Sequence, residues 1–269
     1  MTIKVLIRGG GDLGSGVALR LFHCGFRVHI CELNEPLAVR RSVSFSEAVY
    51  SGQVRVEDVW GYLYDSPSDL PIRQDGIPVY IDPELKYFDL LAPDVLIDAR
   101  MTKKVQTDNP MERCYIVGLG PGFTVNMNCH ACIETKRGHS LGRVYYEGSP
   151  VPDTGIPDPV NNKTKERVLR APIDGSIKVY SKLGSLVQEG DLIACVDNHC
   201  IYAPFAGIVR GIIREGIAVQ KGMKVGDIDP RGDIRASRQV SDKALAIGGG
   251  VLEAILSNPA LRKLMVYEL

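Results

Sequence analysis

Short apolar runs, separated by glycine-rich turns and helical patterns, organise the first half of the chain. The runs at 3–7, 26–31, 77–81, 95–99 and 115–119 are rich in β-branched residues, which is typical of buried parallel strands. Helical patterns lie between several of these runs. Alternating strands and helices predict an α/β fold, here a Rossmann-like parallel sheet covered by helices on both faces.

The first strand run ends in the loop Gly-Gly-Gly-Asp-Leu-Gly at 9–14, and a helical pattern follows it. In a dinucleotide-binding fold, the first glycine of such a loop allows a tight turn. The second lets the backbone approach a pyrophosphate, and the third lets helix and strand pack closely. An acid at the end of the second strand, here Glu32, then accepts hydrogen bonds from a ribose. The pattern predicts a cofactor site formed by Gly9, Gly10, Gly11, Asp12, Gly14 and Glu32.

Asp12 leaves an alternative open at this loop. Asp12 would repel a phosphate unless it caps the helix or holds a cation. A Rossmann-like fold can also keep the tight turn and bind no dinucleotide.

A second glycine cluster follows the run at 115–119. Loops at the carboxyl ends of parallel strands line the ligand crevice, so Gly118, Gly120 and Gly122 are candidates for a second wall of the same site. A sharp turn into the next segment explains these glycines equally well.

The second half contains a repeat, because 171–198 aligns with 203–230 at an offset of 32 residues, with 8 identities in 28 positions. A repeat at fixed spacing indicates a duplicated supersecondary unit. The segments APIDG, LGSLVQEGDLIACV and YAPFAGIV resemble the biotinyl/lipoyl barrel-sandwich fold. That family carries its prosthetic group on a lysine between the halves. The junction here has none, so we expect no biotin or lipoate.

Seven cysteines make an odd count without a disulfide-framework pattern, which favours free thiols in a reducing cytoplasm. Cys129 and Cys132 form a CxxC motif, but no second CxxC completes a zinc site, so we predict no metal site. Thiol chemistry and a structural role both stay open for this pair. Cys195 and Cys200 flank a turn at the repeat junction and are interpreted as ordinary turn residues.

These features divide the chain into four segments. We expect a Rossmann-like domain at 1–125, a connector at 126–165 with a proline-rich linker at 150–159, a duplicated β domain at 166–230, and a helical segment at 231–269. The last segment holds a helical pattern at 241–256 with Ser241 as N-cap. Its three consecutive glycines are tolerable if the helix packs tightly, and we expect it to return to the first domain.

Charge and hydropathy exclude some function classes. Lys plus Arg and Asp plus Glu both number 32, so no overall field drives binding to nucleic acid or to an anionic membrane. No apolar run approaches the roughly 18 residues of a membrane span, and the N-terminus shows no secretion signal.

Taken whole, the chain resembles the YqeB family, described as accessory proteins of selenium-dependent molybdenum hydroxylases. The resemblance rests on IRGGGDLGSGVALRLFHCGFRVHICE, GLGPGF, ETKRGHSLGRVYYEG, KVGDIDPR and SDKALAIGGGVLEAIL. The N-terminal part is also similar to the Rossmann region of XdhC-type maturation factors. The resemblance implies a maturation role in which a nucleotide-bearing or molybdopterin-type cofactor binds at the glycine loop. It also implies a molybdenum hydroxylase client as partner and a small phosphate-containing ligand.

Other functions remain open at this point. The same loop suits an NAD(P)- or FAD-dependent oxidoreductase, although no Tyr-x-x-x-Lys or His–Asp arrangement supplies a proton donor. A docking scaffold without enzymatic activity is a third hypothesis. The residues name no catalytic group, so whether the chain is an enzyme stays open, and a homo-oligomer is compatible with the sequence.

Overall fold

The structure is a computed structural model that describes residues 2–69, 72–73, 75–152, 161 and 163–265. Most of the predicted proline-rich linker lies outside the described residues. The chain forms two compact units, each discontinuous in sequence. Unit 1 comprises 1–36, 45–153 and 240–269, and unit 2 comprises 37–44 and 154–239.

Unit 1 is built on a nine-stranded sheet with the order β3-β4-β5-β2-β1-β6-β7-β8-β9. Its strands are β1 (Lys4–Arg8), β2 (Arg27–Glu32), β3 (Gln53–Val56), β4 (Val59–Leu63), β5 (Gly76–Ile81), β6 (Val95–Asp98), β7 (Tyr115–Leu119), β8 (Ala131–Ile133) and β9 (Val144–Tyr145). The strands from β4 to β8 run parallel, whereas β3 and β9 pair antiparallel at the two edges. The sheet is therefore mixed.

The helices of unit 1 are α1 (Asp12–His23), α2 (Ala48–Ser51), α3 (Phe88–Leu91), α5 (Asp242–Ser257) and α6 (Pro259–Lys263). Among the described residues only α1 and α5 are longer than five residues. The prediction of a Rossmann-like parallel sheet covered by helices on both faces is therefore wrong. The helical patterns predicted at 36–41, 45–50 and 84–91 are about two turns long or shorter. Over so short a span a tight turn buries the same apolar side chains.

Close approaches explain two of the three glycines of α5, namely Gly248 and Gly250. A Cβ on Gly16 of α1 would lie 2.5 Å from Ala244 Cβ of α5, and a Cβ on Gly248 would lie 3.2 Å from Gly16 O. A Cβ on Gly250 would meet the backbone oxygen of Gly142. The predicted N-cap is confirmed, since Ser241 Oγ accepts a hydrogen bond from Ala244 N at 3.1 Å. Gly248 and Gly250 lie where the helix packs against α1 and against the loop backbone at 142, whereas a Cβ on Gly249 would meet nothing within 4 Å.

Unit 2 contains α4 (Arg235–Arg238) and two four-stranded antiparallel sheets, of order β10-β17-β15-β12 and β14-β13-β11-β16. The strands are β10 (Val168–Arg170), β11 (Gly175–Val179), β12 (Leu186–Val187), β13 (Leu192–Val196), β14 (His199–Tyr202), β15 (Gly207–Ile212), β16 (Ala218–Val219) and β17 (Lys224–Asp229). At an offset of 32 residues, β11, β12 and β13 correspond to β15, β16 and β17. The repeat is thus a structural repeat, but its strands form two separate sheets, and the prediction of a barrel-sandwich domain is wrong.

No helix in the described part of the chain is both long enough and apolar enough to cross a bilayer.

Candidate functional site

Charged side chains stand on an apolar core at the carboxyl ends of the central strands of unit 1. The strand register aligns one row of directly paired residues across the sheet, namely Tyr80, Cys31, Arg8, Asp98, Gly118 and Cys132. Residues two positions earlier on a strand share its face, and there Leu6, Leu96 and Ile116 are fully buried. In this row the charged side chains of Arg8 and Asp98 therefore lie next to buried apolar residues.

The glycine loop has the geometry that its sequence predicts. Gly9 has φ +103°, which favours glycine. A Cβ on Gly14 would overlap Gly9 O, so the third glycine permits close packing of the helix on the loop. A Cβ on Gly11 would meet nothing within 4 Å. Gly11 is also the N-cap of α1, and no side chain caps the helix there. The start of α1 therefore combines an uncapped helix end with open space.

The carboxylate of Glu32 holds the loop against β2. Oε1 accepts a hydrogen bond from Gly10 N at 2.6 Å, and Oε2 accepts one from Leu33 N at 2.8 Å. Burial raises the pKa of this carboxyl group, and the two backbone hydrogen bonds oppose that shift. Asp12 lies in the first turn of α1, where a carboxylate interacts favourably with the helix dipole.

A network of four charged residues extends from the end of β1 to the loop after β6. Arg8 Nη1 lies 2.7 Å from Asp108 Oδ2, and Arg100 Nη2 donates to Asp108 Oδ1 at 2.9 Å. Arg100 Nη2 also donates to Asp98 Oδ2 at 2.6 Å. Hydrogen bonds from Arg100, and to a smaller extent from Arg8, lower the pKa of Asp108 to about 2, although burial opposes this shift. The loop that carries Asp108 is thereby tied to the strand ends.

Arg8 itself is incompletely satisfied. Its side chain is 8% exposed, and Nη2 donates to Pro83 O at 2.7 Å. Nε makes no hydrogen bond to the described residues. A buried guanidinium normally uses its donors, so Arg8 keeps capacity for an acceptor. Sequence reasoning missed the charged network, although Arg8 and Asp98 each end a strand directly after three apolar residues.

The second glycine cluster is packed by the protein itself. A Cβ on Gly118 would overlap the ring of Phe123, and one on Gly122 would lie 2.6 Å from Thr102 O. Gly120 has φ +88°. These contacts favour the alternative of a sharp turn, and the second wall of a ligand crevice stays a prediction.

The CxxC thiols lie in the apolar core of unit 1. Cys129 and Cys132 are fully buried among apolar side chains. A hydrogen bond with Cys132, together with burial, raises the pKa of the Cys129 thiol well above its ordinary value. Because the thiolate is the reactive form, this geometry favours a structural role. No cluster of three His, Cys, Asp or Glu side chains suited to a metal occurs in the described ranges.

The expectation that every thiol is free is wrong for two of the seven cysteines, because Cys195 and Cys200 form a disulfide. Cys24, Cys31, Cys114, Cys129 and Cys132 are free.

No protein-family model matches the chain. A curated protein of Escherichia coli (strain K12), "Uncharacterized protein YqeB", is 46% identical over 254 residues, which cover 94% of this chain. The chain is a homologue of YqeB. It spans about half of that relative's length, 47%, so the activity of the whole relative does not transfer. The similarity of the N-terminal part to XdhC-type factors has no counterpart among these matches and stays a prediction.

Solved structures give weaker likenesses. They include an aspartoacylase family protein of Mesorhizobium loti (13% identity, TM-score 0.27, 85% of each chain covered) and a succinylglutamate desuccinylase of Silicibacter sp. (14%, 0.25, 84% of each chain). A third is the ectoine utilization protein EutE of Ruegeria pomeroyi (13%, 0.24, 84% of this chain and 86% of that one). At these TM-scores they carry no argument about the activity of this chain.

The functional prediction is corrected here, because the homologue YqeB is uncharacterized and no comparison supports a maturation factor for a selenium-dependent molybdenum hydroxylase. Neither that prediction nor its oxidoreductase and scaffold alternatives are carried further.

Proposed function

We propose that unit 1 binds a small phosphate-containing molecule at the loop formed by residues 9–14, with the phosphate against the first amide groups of α1. The observation that carries this proposal is the uncapped start of α1 beside open space at Gly11. The first amide groups of a helix have no acceptor within the helix, and the helix dipole favours an anion there.

Arg8 supplies a second, independent support. The residue is at the same edge of the sheet, since Arg8 ends β1 and Gly9 begins the loop. The side chain is nine-tenths buried and its Nε lacks a hydrogen-bond partner among the described residues. A phosphate oxygen is a strong acceptor for a guanidinium.

Glu32 restricts which ligands fit. Its two oxygens already accept hydrogen bonds from Gly10 N and Leu33 N, one each. A carboxylate has about four acceptor positions, so a ribose hydroxyl can still donate to it. A dinucleotide is therefore the first ligand class to test, and inorganic pyrophosphate isolates the contribution of the phosphates.

Calorimetric titration of the full chain with NAD, FAD, ADP and pyrophosphate tests the proposal. Gly11→Asp places a carboxylate beside the amide groups, and we expect affinity to fall at least about tenfold, which corresponds to about 1.4 kcal/mol. Gly249→Asp is the matched control, because a Cβ there also meets nothing within 4 Å and the position lies on α5.

The control variant should bind like the native chain. If none of the four compounds binds, or if Gly11→Asp binds as tightly as Gly249→Asp, the proposal is overturned.

A further inference from the structure

The disulfide of unit 2 lies at a two-residue hairpin. Cys195 on β13 and Cys200 on β14 are directly opposite in the strand register, and their Cα atoms are 3.9 Å apart. Asp197 and Asn198 form the turn, with Asp197 at φ +48°. The sulfurs meet because the hairpin brings them together.

The hairpin does not depend on the bond between the sulfurs. Val196 pairs with His199 on one side of the cysteines, and Ala194 pairs with Ile201 on the other. The two cysteines are only five positions apart in sequence, so the bond closes a short loop and constrains the unfolded chain little. Opening the disulfide would leave two thiols facing each other on intact strands.

The two sulfurs differ in access. Cys195 is 5% exposed, whereas Cys200 is an exposed residue. An attacking thiolate reaches the accessible sulfur first, so Cys200 would form the new bond and Cys195 would leave.

A lysine is paired with the cysteine whose sulfur would leave. Lys178 on β11 is directly opposite Cys195, on the side away from β14, so Lys178, Cys195 and Cys200 occupy one row across three strands. Directly opposed side chains lie on the same face within about 5 Å at Cβ. Lys178 is exposed, and its Nζ lies 5.4 Å from the centre of the Tyr180 ring. A positive charge in the same row as Cys195 stabilises a departing thiolate.

We propose that Cys195 and Cys200 form a thiol–disulfide exchange site for small-molecule thiols, with Lys178 as the positioning residue that assists the leaving sulfur. A thiolate of the small molecule attacks Cys200 Sγ, the S–S bond breaks, and Cys195 leaves with the electron pair and takes up a proton. A second small-molecule thiolate then attacks the small-molecule sulfur of the mixed disulfide. It releases the Cys200 thiolate and a small-molecule disulfide, and the protein pair has gained two electrons. The reverse sequence re-forms the protein disulfide.

Trapping the mixed disulfide tests the assignment of the two sulfurs. The full chain with Cys195→Ser is incubated with oxidised glutathione, and intact and peptide mass spectrometry locates the adduct. We expect glutathione on Cys200, formed several-fold faster than on Cys24, the exposed free cysteine of unit 1. In Cys200→Ser, the less accessible Cys195 should react several-fold more slowly than Cys200 does. Equal rates at Cys200 and Cys24, or a faster reaction at Cys195, would overturn the proposal.

The role of Lys178 is tested in the native disulfide by the rate of reduction with glutathione. Lys178→Gln should slow reduction about threefold, since exchange rates depend on the stability of the leaving thiolate. Lys178→Arg should restore the rate, and Lys182→Gln, an exposed lysine outside the row, should leave it unchanged. If the disulfide is purely structural, the native chain and the three lysine variants will be reduced at the same rate. Loss of the far-ultraviolet circular dichroism of the β structure on reduction would also refute a reversible site.

Discussion

Replacing Gly250 by alanine adds one methyl group at the point where α5 touches the loop at 142. The new Cβ would lie 2.2 Å from Gly142 O and 3.1 Å from Ile133 Cγ2. The backbone oxygen cannot rotate away, so the helix or the loop must shift. Overpacking of this kind costs about 1–3 kcal/mol, and a backbone contact belongs at the upper end. Alanine regains about 1 kcal/mol of helix propensity, which leaves a net loss of about 1–2 kcal/mol.

Gly249→Ala provides the matched comparison one residue earlier. A Cβ there meets nothing within 4 Å, so only the gain of about 1 kcal/mol in helix propensity remains. The free energies of unfolding of the two variants should therefore differ by about 2–3 kcal/mol. Urea unfolding followed by the fluorescence of Trp60, the single tryptophan and a residue of the same unit, measures the difference. Equal stability of Gly250→Ala and Gly249→Ala would contradict close packing at Gly250.

Three further outcomes are expected. Ser241→Ala removes the N-cap of α5 and should lower the free energy of unfolding by about 1 kcal/mol in the same urea assay, whereas Ser241→Asp should retain most of it. Because Arg100 lowers the pKa of Asp108 to about 2 in the folded chain, the stability gained from this carboxylate is fully present above about pH 4 and is lost as the pH falls toward 2. Asp108→Asn should reduce the dependence of the free energy of unfolding on pH between about pH 4 and pH 2, by a small amount because the side chain is half exposed. An unchanged pH dependence would show that the ion pair does not contribute to stability. Cys129 should react with a thiol reagent far more slowly than Cys24 in the native chain and at the same rate in urea, and equal native rates would contradict its burial.

The local architecture around the first glycine loop could be predicted from sequence. The β-branched run, the positive φ of Gly9 and the close packing at Gly14 all follow from residue types at fixed spacing. The N-cap at Ser241 and the 32-residue repeat follow for the same reason. Such features depend on short-range geometry that a few residues determine.

The global arrangement could not be predicted in this way. The helices expected between the strands depend on packing that short apolar windows do not encode, and most of them are turns or four-residue helices. The duplicated strands were recognised, but their division into two sheets depends on pairings between distant residues. In the candidate site, Asp108 reaches Arg8 from 100 positions away. Gly118 resembled a ligand-facing glycine although it accommodates Phe123. Spacing alone does not distinguish these cases.

The most direct test of the phosphate-site proposal is a nuclear magnetic resonance titration of the ¹⁵N-labelled full chain with pyrophosphate. The amide signals of residues 9–14 and the side-chain Nε–H signal of Arg8 should shift together with one dissociation constant, and Gly11→Asp should abolish those shifts. Shifts that occur only elsewhere, or none at saturating pyrophosphate, would contradict the account.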